Sequence, residues 1–477
     1  MLMVASEAYP FASTGGLAEV VGGLSDALAR LGHTVTFVIP RYRGVEPGRA
    51  AGESIPLTFG RRTQHVSFSR HELAPRVTAV LVDAPKLFQR DGLYGDAHGE
   101  YLDNAWRFAV LSRSALEYAR LGARPSIIHA HDWQTGLVPV FQKMMFATDP
   151  VIGGVPALFT IHNIAFQGVF PSSTIDDIGL SWDLFNTQAL EFWGGVSYLK
   201  GGINFSEKIS TVSPTYAREI LGPEMGYGFQ GIVAQRAEDL TGILNGIDTE
   251  RWNPEADPLV PARFSADDLA GKTAAKKALL DAVSLDSDAP ALARPVIGVV
   301  SRLTYQKGFD LFAAAADDLV ALDATWVMLG DGDGEYEDLW RALASRYPLK
   351  FSATIGFEER LAHLIEAGSD MFLMPSRYEP CGLNQLYSLR YGTVPVVRAT
   401  GGLQDTVRDP EEAAPGTGFK FREYHPAALV AALHRALDTR RNGAQWTRMQ
   451  QAGMREDHSW DASAREYVKV YRAMKNG

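Results

Sequence analysis

Short apolar segments alternate along this chain with longer segments of helical periodicity. The first examples are a strand pattern at residues 1–5, a Gly-Gly turn, a helical stripe from Leu17 to Leu31, and an apolar segment at 33–40. Parallel strands need a long crossover connection between them, and a helix usually provides it. The alternation therefore predicts an α/β fold with parallel sheets and helices on both faces of each sheet.

A second series of strand patterns begins near Arg294. Its apolar segments are 295–300, 325–330, 351–356, 371–375 and 394–399. The preceding residues, 248–294, are rich in Asp, Ala, Pro and Lys. They contain several prolines that interrupt regular structure, at Asn253-Pro254, Asp257-Pro258 and Val260-Pro261. We interpret this segment as a domain boundary with a helical insert. The chain of 477 residues is long enough for two or three domains, at roughly 100–200 residues each.

Two Gly-Gly turns have closely similar sequences. Thr14–Leu17 and Thr400–Leu403 each follow a strand pattern and open a probable helix. A helix N-terminus presents unpaired N–H groups, and glycine lets a phosphate approach them closely, although a tight strand-to-helix turn explains either loop equally well. Neither turn has the GxGxxG or Walker pattern, which disfavours dinucleotide and NTPase sites. Ligands of such sheets bind beyond the carboxyl ends of the strands, so two facing edges would form a cleft.

Three charged residues follow strand patterns of the second series. Arg302 and Lys307 lie just past 295–300, and their charges suit a diphosphate leaving group, although solvated surface cations are the alternative. Glu379 lies just past 371–375. Its carboxylate could accept sugar hydroxyls or offset a developing positive charge, or it could cap a helix.

Histidines and aromatic residues are concentrated in the first half of the chain. His129 and His131 are spaced like metal ligands, but no third ligand follows at a convincing spacing, so a metal site is disfavoured. The acidic turn 331–335 lacks the glycine of an EF-hand and is interpreted as a strand-to-helix turn. Several aromatic side chains could stack on sugars or simply pack in the core. These are Trp106, Trp133, Trp182, Trp193 and Tyr198.

Charge and cysteine content restrict the partners and the compartment. The net charge of -10 argues against nucleic acid or an anionic membrane as the main partner. The single cysteine, Cys381, allows no intrachain disulfide, which fits a reducing compartment. We identify no signal peptide and no apolar segment of transmembrane length. The expectation is a cytoplasmic enzyme.

Together, the motifs resemble those of the bacterial glycogen synthases and plant starch synthases. They occur in the family's order over nearly the whole chain. The matching segments are SEAYPFASTGGLAEVVGGL (6–24), HAHDWQTGL (129–137), TIHNIAFQG (160–168), STVSPTYAREI (210–220), LNGID (244–248), SRLTYQKG (301–308), PSRYEPCGLNQLYSLRYGTVPVV (375–397) and TGGLQDTV (400–407).

The resemblance implies a GT-B fold, in which two Rossmann-like doubly wound domains face each other across a deep cleft. The domains would be 1–247, on the acceptor side, and 248–458, which would bind the nucleotide sugar. The final helix, 459–477, would cross back to the first domain. The implied reaction transfers glucose from ADP-glucose, a co-substrate, to the non-reducing end of an α-1,4-glucan such as glycogen. It proceeds with retention and without a metal or a bound cofactor.

Other interpretations remain open from the sequence alone. A GT-B enzyme could use UDP-glucose or a different acceptor, and a catalytically weakened chain could act as a glucan-binding protein. A phosphorylase with pyridoxal phosphate would share the fold.

The resemblance also implies roles for individual residues. Arg302 and Lys307 would bind the distal phosphate, and Glu379 would hold glucose hydroxyls. His162 would lie beside the glucose, and Asp132 would lie near the acceptor. The donor-binding set implied by the resemblance is Ser13, Gly15, Gly16, Asn245, Phe357, Cys381, Gly402, Leu403 and Thr406.

The chain departs from the family pattern at three positions. Ser13 stands where the family usually has lysine, which removes one charged contact to phosphate or acceptor. A charged hydrogen bond contributes roughly 1.5–3 kcal/mol, so we expect donor affinity or rate to fall about 10–100-fold. Asn384 replaces a common threonine, and Tyr387 stands where related glycosyltransferases carry a second glutamate.

Overall fold

The computed structural model describes residues 1–476 and separates into two units. The first unit contains Met1–Gly246 and the residues from Trp460 onward, and the second contains Ile247–Ser459. The sequence analysis places the corresponding boundaries at 247/248 and 458/459. No helix within residues 1–476 is long and apolar enough to cross a membrane.

A ten-stranded sheet forms the centre of the first unit. Seven neighbouring strands are parallel, and three further strands extend one edge in antiparallel pairs. Across the sheet the order is Leu240–Gly242, Lys208–Thr211, Ala157–Ile161, Ile128–His131, Leu2–Val4, Val35–Pro40, Val77–Asp83, Arg62–Ala74 and Arg49–Ala50, with Ile55–Phe59 also paired to Arg62–Ala74. The parallel part confirms the predicted α/β pattern. The antiparallel edge was missed, because its longest strand, Arg62–Ala74, is mostly polar and has only three buried residues.

Helices and small sheets complete the first unit. The α-helices are Gly16–Arg30, Pro85–Phe88, Asn104–Tyr118, Leu137–Met145, Thr174–Asp177, Tyr198–Phe205, Pro214–Glu219, Gln230–Ala234 and Trp460–Asn476. One-turn 3-10 or π segments are Ala119–Ala123, Trp133–Thr135, Trp182–Leu184 and Ala237–Asp239. The small antiparallel sheets consist of Val169–Pro171, Gly195–Ser197 and Glu191–Phe192, and of Gly95–Asp96 and Gly99–Glu100.

The last helix packs within the first unit against the first helix. Any side chain at Gly23 would collide with the Trp460 ring, because a Cβ there would lie 2.1 Å from the indole nitrogen. Arg30 Nη2 lies 2.6 Å from Asp461 Oδ1 on the same surface. The predicted helix 459–477 is therefore observed as Trp460–Asn476, while Gly477 lies outside the described residues.

A six-stranded, fully parallel sheet forms the centre of the second unit. Its order is Phe351–Ile355, Thr325–Gly330, Val296–Val300, Met371–Met374, Val394–Arg398 and Phe419–Phe421. Numbered along the chain, this order is 3-2-1-4-5-6, which is the Rossmann order. The parallel strands of the first unit follow the same rule, because Leu2–Val4 lies between Val35–Pro40 and Ile128–His131.

Helices cover this second sheet. They are Gly271–Ala282, Ala289–Ala293, Phe309–Ala314, Ala316–Ala321, Gly334–Arg346, Glu359–Gly368, Asn384–Arg390, Gly401–Thr406, Pro426–Arg441 and Gly443–Met454, with a 3-10 turn at Tyr305–Lys307. The segment 248–294 belongs to this unit and is not a separate insert. Trp252, for example, stacks between the rings of His363 and Tyr387, with centroids 3.9 Å away on each side.

Candidate active site

In each unit the strand order reverses beside the first strand, and this switch point is where ligands bind in doubly wound sheets. In the second unit the two strands concerned are Val296–Val300 and Met371–Met374. The loops that leave their carboxyl ends contain Arg302 and Lys307, and Glu379, respectively. The fold therefore brings together the two loops whose charged residues the sequence analysis selected on two separate motifs.

The loop after Val300 is held tightly against the loop after Met374. Gly308 has a φ of 82°, and a Cβ there would lie 2.1 Å from the carbonyl oxygen of Pro375. The Arg377 amide also donates to the Gln306 carbonyl at 2.9 Å. Only glycine satisfies both the left-handed backbone and this close approach. The two loops consequently form one structural element at the switch point.

Lys307 and Glu379 form an ion pair across these loops. Lys307 Nζ lies 2.5 Å from Glu379 Oε2, and the side chains are 19% and 6% exposed. Ser376 Oγ donates to the same carboxylate oxygen at 3.1 Å. The following helix begins only at Asn384, so Glu379 does not cap it. The structure therefore excludes the interpretation of Glu379 as a helix cap.

Arg302 differs from Lys307 in its surroundings. Its side chain is exposed, and it has no ion pair or side-chain hydrogen bond within residues 1–476. The neighbouring Leu303 is fully buried and its amide donates to the Asp331 carbonyl at 2.6 Å, which fixes the backbone beside Arg302. The switch point thus presents an unpaired guanidinium on an anchored loop.

The Gly-Gly turn of the second unit carries two residues of the predicted donor-binding set, Gly402 and Leu403. The Gly402 amide donates to the carbonyls of Glu379 and Pro380 at 3.2 and 3.1 Å, and the Leu403 amide donates to Thr400 at 3.1 Å. Both amides are hydrogen-bonded within the protein in this structure, and their predicted contact with phosphate or sugar stays a prediction. A Cβ on Gly402 would lie 2.1 Å from the Cys381 carbonyl, so the glycine is needed for backbone packing.

Leu403 and Thr406 support this turn from inside the unit. The Leu403 side chain is fully buried in an apolar cluster. The Thr406 hydroxyl donates to the Gly402 carbonyl at 2.6 Å and accepts from Gln385 at 3.2 Å. Both side chains have partners within the protein, and the predicted contact of these two residues with the donor stays a prediction.

Other predicted donor residues occupy different surroundings. Phe357 follows the strand Phe351–Ile355 and is 78% exposed, whereas Cys381 is buried. Asn245 is buried in the first unit, and its side-chain oxygen has no hydrogen-bond partner among the described residues. A buried acceptor without a partner is uncommon in native structures, which makes Asn245 a candidate for ligand contact.

Two positions that depart from the family pattern have structural roles. Asn384 Nδ2 donates to the Val300 carbonyl at 2.6 Å, which ties the start of its helix to the end of the first strand. Tyr387 is buried against Trp252. The second glutamate position is thus occupied by a core aromatic.

At the switch point of the first unit, the helix Gly16–Arg30 begins without a cap. No side chain bonds its N-terminus, and the amides of Gly15 and Gly16 make no hydrogen bond within the described residues. A Cβ built on Gly15 would meet no atom within 4 Å, so the approach is open. Ser13 is exposed beside this N-terminus. An anion can therefore bind here without a change in the fold.

Glu7 is a site residue that the sequence analysis missed. It is buried, and its carboxylate accepts from the Thr14 hydroxyl at 2.7 Å, from the Thr14 amide and from the Tyr94 hydroxyl. It folds the Gly-Gly turn back onto the strand Leu2–Val4. Its position just beyond the carboxyl end of that strand is the signal that could have identified it.

Asp132 and His162 follow neighbouring parallel strands, Ile128–His131 and Ala157–Ile161. Asp132 Oδ1 accepts a hydrogen bond from the His162 amide at 2.7 Å. Burial, with a smaller contribution from the charge of Glu7, raises the pKa of Asp132 to about 7, despite the amides that lower it. Asp132 also has φ 58° and ψ 178°, a backbone region otherwise restricted to glycine. Such strain, of order 1–3 kcal/mol, is concentrated at functional sites.

Three imidazoles, those of His129, His131 and His162, form a row of tilted ring contacts. His129 and His131 are fully buried with centroids 4.0 Å apart, and His131 Nδ1 lies 3.1 Å from His162 Nε2. Burial lowers the pKa of His129 and of His162 to about 3 and that of His131 well below its ordinary value. All three rings are therefore neutral near pH 7. Within residues 1–476, no group of histidine, cysteine and acidic side chains has the geometry of a metal site.

The aromatic residues divide into two groups. Trp106, Trp133 and Tyr198 are buried, whereas Trp182 and Trp193 are 49% and 85% exposed. Trp193 also has a φ of 53°, an unfavourable conformation for a bulky residue. Of these five aromatic residues, Trp193 is therefore the one whose position is least explained by packing.

Two family models match the sequence. The starch synthase catalytic domain matches residues 1–235, and the glycosyl transferases group 1 model matches residues 286–453. The chain is 48% identical to the glycogen synthase of Anaeromyxobacter dehalogenans over 100% of this chain and 99% of that protein. It is 48% identical to the glycogen synthase of Myxococcus xanthus over 99% of this chain and 98% of that protein.

A solved structure shows the same similarity in three dimensions. The catalytic domain of starch synthase IV from Arabidopsis thaliana, bound to ADP and acarbose, has a TM-score of 0.91 and 31% sequence identity to this chain. The comparison covers 100% of this chain and 99% of that domain.

Proposed function

The chain belongs to the glycogen and starch synthase family and is a glucosyltransferase that elongates a glucan; on that premise, we propose that it takes glucose from ADP-glucose and adds it to the non-reducing end of an α-1,4-glucan. The observation that carries the proposal is the Lys307–Glu379 ion pair beside the unpaired Arg302. These groups lie on the two loops that leave the switch point of the second unit. The charges match a sugar attached to a diphosphate.

Arg302 and Lys307 bind the diphosphate in this proposal. The exposed guanidinium of Arg302 can fork onto two phosphate oxygens, and Lys307 supplies a point charge. Lys307 is already held by Glu379, so its ammonium group does not need to be ordered when the donor binds. Both cations stabilise the negative charge that develops on the departing nucleoside diphosphate.

Glu379 acts on the sugar. Lys307 and Ser376 hold one carboxylate oxygen, Oε2, which fixes the group while Oε1 stays available to a glucose hydroxyl. The carboxylate also offsets positive charge at the anomeric carbon. Phe357 supplies an exposed ring for the nucleotide base. Cys381 lies on the same loop as Glu379 and lines the donor pocket in this proposal.

The first unit supplies the acceptor side in this proposal. Asp132 lies near the acceptor and His162 beside the glucose, and Asn245 offers its unpaired oxygen to the donor. Ser13, Gly15 and Gly16 form an open helix N-terminus suited to an anion. The domains 1–247, with 459–477, and 248–458 would then act on acceptor and nucleotide sugar, respectively.

The reaction needs no enzyme nucleophile in this scheme. The bond between the anomeric carbon and the phosphate oxygen breaks, and a bond to the acceptor O4 forms on the same face. The acceptor proton passes to the departing phosphate oxygen. No metal or bound cofactor takes part, and the enzyme acts in the cytoplasm. The lone Cys381 is consistent with that compartment.

Product analysis tests this proposal. The protein is incubated with ADP-glucose and a maltooligosaccharide, with and without EDTA, and the products are examined by proton NMR for new anomeric signals. We expect longer chains with α-1,4 linkages and no effect of EDTA. New β linkages, or dependence on added metal, would contradict the scheme. Elongation only from UDP-glucose would identify UDP-glucose, and not ADP-glucose, as the donor. Glucan binding without any transfer would indicate a binding protein.

A further inference from the structure

Two neutral imidazoles share one hydrogen bond in the first unit. His131 Nδ1 lies 3.1 Å from His162 Nε2, and a neutral ring carries its proton on only one nitrogen. Either His131 donates from Nδ1, or His162 donates from Nε2. The choice determines whether the other nitrogen of each ring carries a proton.

The burial of His131 distinguishes the two arrangements. His131 Nε2 is buried and has no hydrogen-bond partner among the described residues. If His162 donated, the proton of His131 would lie on this enclosed nitrogen as an unpaired N–H. Orphaned N–H donors are rarer in protein interiors than under-used acceptors. The arrangement with a bare Nε2 on His131 is therefore favoured, and His131 then donates from Nδ1.

His131 is held firmly enough to impose this choice. Its amide donates to Thr135 Oγ1 and its carbonyl accepts from the same hydroxyl, each at 2.7 Å. Its ring packs against the ring of His129, with the two planes tilted by 36°, and both nitrogens of His129 have hydrogen-bond partners. His129 Nδ1 lies 2.8 Å from the Tyr471 hydroxyl and Nε2 lies 2.6 Å from Thr160 Oγ1. The last helix, the central strands and the three rings are thereby joined in one buried network.

We propose that His131 is a positioning residue, which orients His162 and places the proton of His162 on Nδ1. His162 Nδ1 has no partner within residues 1–476, so this atom is left as a hydrogen-bond donor on a partly exposed ring. If the proposed function is correct, His162 meets a sugar oxygen as a neutral N–H donor, and not as an acceptor or a cation. The contact depends on His131, which does not touch the substrate itself.

Two substitutions of His131 separate its hydrogen bond from its shape. His131→Phe keeps a ring against His129 but cannot bond His162. His131→Asn loses the ring but can place an N–H donor where Nδ1 lies. We expect His131→Phe to lower kcat about 10-fold or more with little change in KM, and His131→Asn to retain most of the activity. A purely structural role predicts the opposite order, because Phe preserves the packing better.

Nitrogen NMR of histidine-labelled protein without substrate tests the tautomer directly. The His162 signals are assigned by their loss in His162→Asn. We expect the directly bonded proton on Nδ1 in the unmodified protein and in His131→Asn, and loss of this preference in His131→Phe. A proton on Nε2 of His162 in the unmodified protein would overturn the proposal, even if His131→Phe failed to fold. Because no substrate is present, this result is independent of whether the protein transfers glucose.

Discussion

Lys307 Nζ lies 2.5 Å from Glu379 Oε2, although the two residues are 72 positions apart in the chain. Each leaves one of the two strands between which the order of the second sheet reverses. The pair is largely buried, so its charges act in a medium less polar than water. Lys307 holds one carboxylate oxygen of Glu379 in place, and Arg302 lies on the same loop as Lys307. The strand order therefore accounts for the meeting of the two loops that carry the proposed donor site.

Removing the charge of Glu379 tests its catalytic role. Glu379→Gln keeps the size of the side chain, and we expect glucosyl transfer to fall by about 10²–10³-fold, the usual effect of losing one preorganised electrostatic group. The initial rate of glucose incorporation measures this. Asp338→Asn, which alters an exposed ion pair with Arg341 in the same unit, is the control and should leave the rate unchanged. Near-normal rates for Glu379→Gln would remove Glu379 from the mechanism.

Arg302 can be tested by nucleotide binding alone. Because its guanidinium is unpaired within residues 1–476, Arg302→Ala would remove the proposed phosphate contact without leaving a buried charge, and we expect the Kd for ADP to rise about 10–100-fold, as for a charged hydrogen bond. Calorimetric titration with ADP measures it. Arg302→Lys should give an intermediate Kd, since lysine keeps the charge but not the fork. Arg341→Ala is the matched surface control, and equal affinities for all variants would contradict the assignment.

Ser13 lies beside an open helix N-terminus, where a cation would add to the site. We expect Ser13→Lys to lower the KM for ADP-glucose or raise kcat, by up to about 10–100-fold for one new charged hydrogen bond. Ser13→Gln is the control, because glutamine is similar in length to lysine but carries no charge. It should have little effect. If lysine behaves like glutamine in steady-state kinetics, another group has taken over the role of the family's lysine.

The raised pKa of Asp132 predicts a pH dependence of stability. Its pKa is about 7 in the folded protein and 3.8 for an ordinary side chain. Between about pH 4 and 7 the folded state holds a proton that the unfolded state releases, so this contribution to stability falls as the pH rises. The difference in urea midpoint between the unmodified protein and Asp132→Asn should therefore shrink or reverse from pH 5 to about 8. A difference that stays constant over this range would show that Asp132 is ionised throughout, and one that grows with pH would also contradict the raised pKa.

Trp193 combines high exposure with a left-handed backbone. Trp193→Gly removes the strain, which costs roughly 1–2 kcal/mol for a residue with a side chain in this region, and sacrifices little burial. We expect it to raise the thermal midpoint and to weaken binding to a maltooligosaccharide, if the indole stacks on the glucan. Trp193→Ala loses the ring but keeps the strain, so it should weaken binding without the gain in stability. Unchanged glucan binding in both variants would make Trp193 irrelevant to the acceptor.

The sequence is enough to select the loops of the candidate site, because its charged and glycine residues follow recognisable strands. Arg302, Lys307 and Glu379 were selected from separate motifs, and parallel strand pairing brings their loops together. Thr14 and Glu7 are different, since their hydrogen bond depends on how the turn folds back. The free or occupied state of an amide also depends on folding. Gly16 and Gly402 hold the same position in the two Thr-Gly-Gly-Leu turns, but within residues 1–476 only the Gly402 amide is hydrogen-bonded.

The edge of the first sheet shows a second limit. Arg62–Ala74 pairs with strands on both sides, yet its side chains are mostly polar and exposed. A pattern search for apolar segments cannot find such a strand. His131 illustrates a third limit, because its spacing from His129 resembles a metal motif, whereas its burial and its bond to His162 indicate a structural network.

Incorporation of labelled glucose into glycogen, from ADP-glucose and UDP-glucose in parallel and without added metal, is the most direct test of the central claim. The unmodified protein and Glu379→Gln are compared in the same assay. We predict strong incorporation from ADP-glucose, much weaker incorporation from UDP-glucose, and near loss of both in the variant. No incorporation from either donor by folded protein, or equal rates for the variant, would contradict the account.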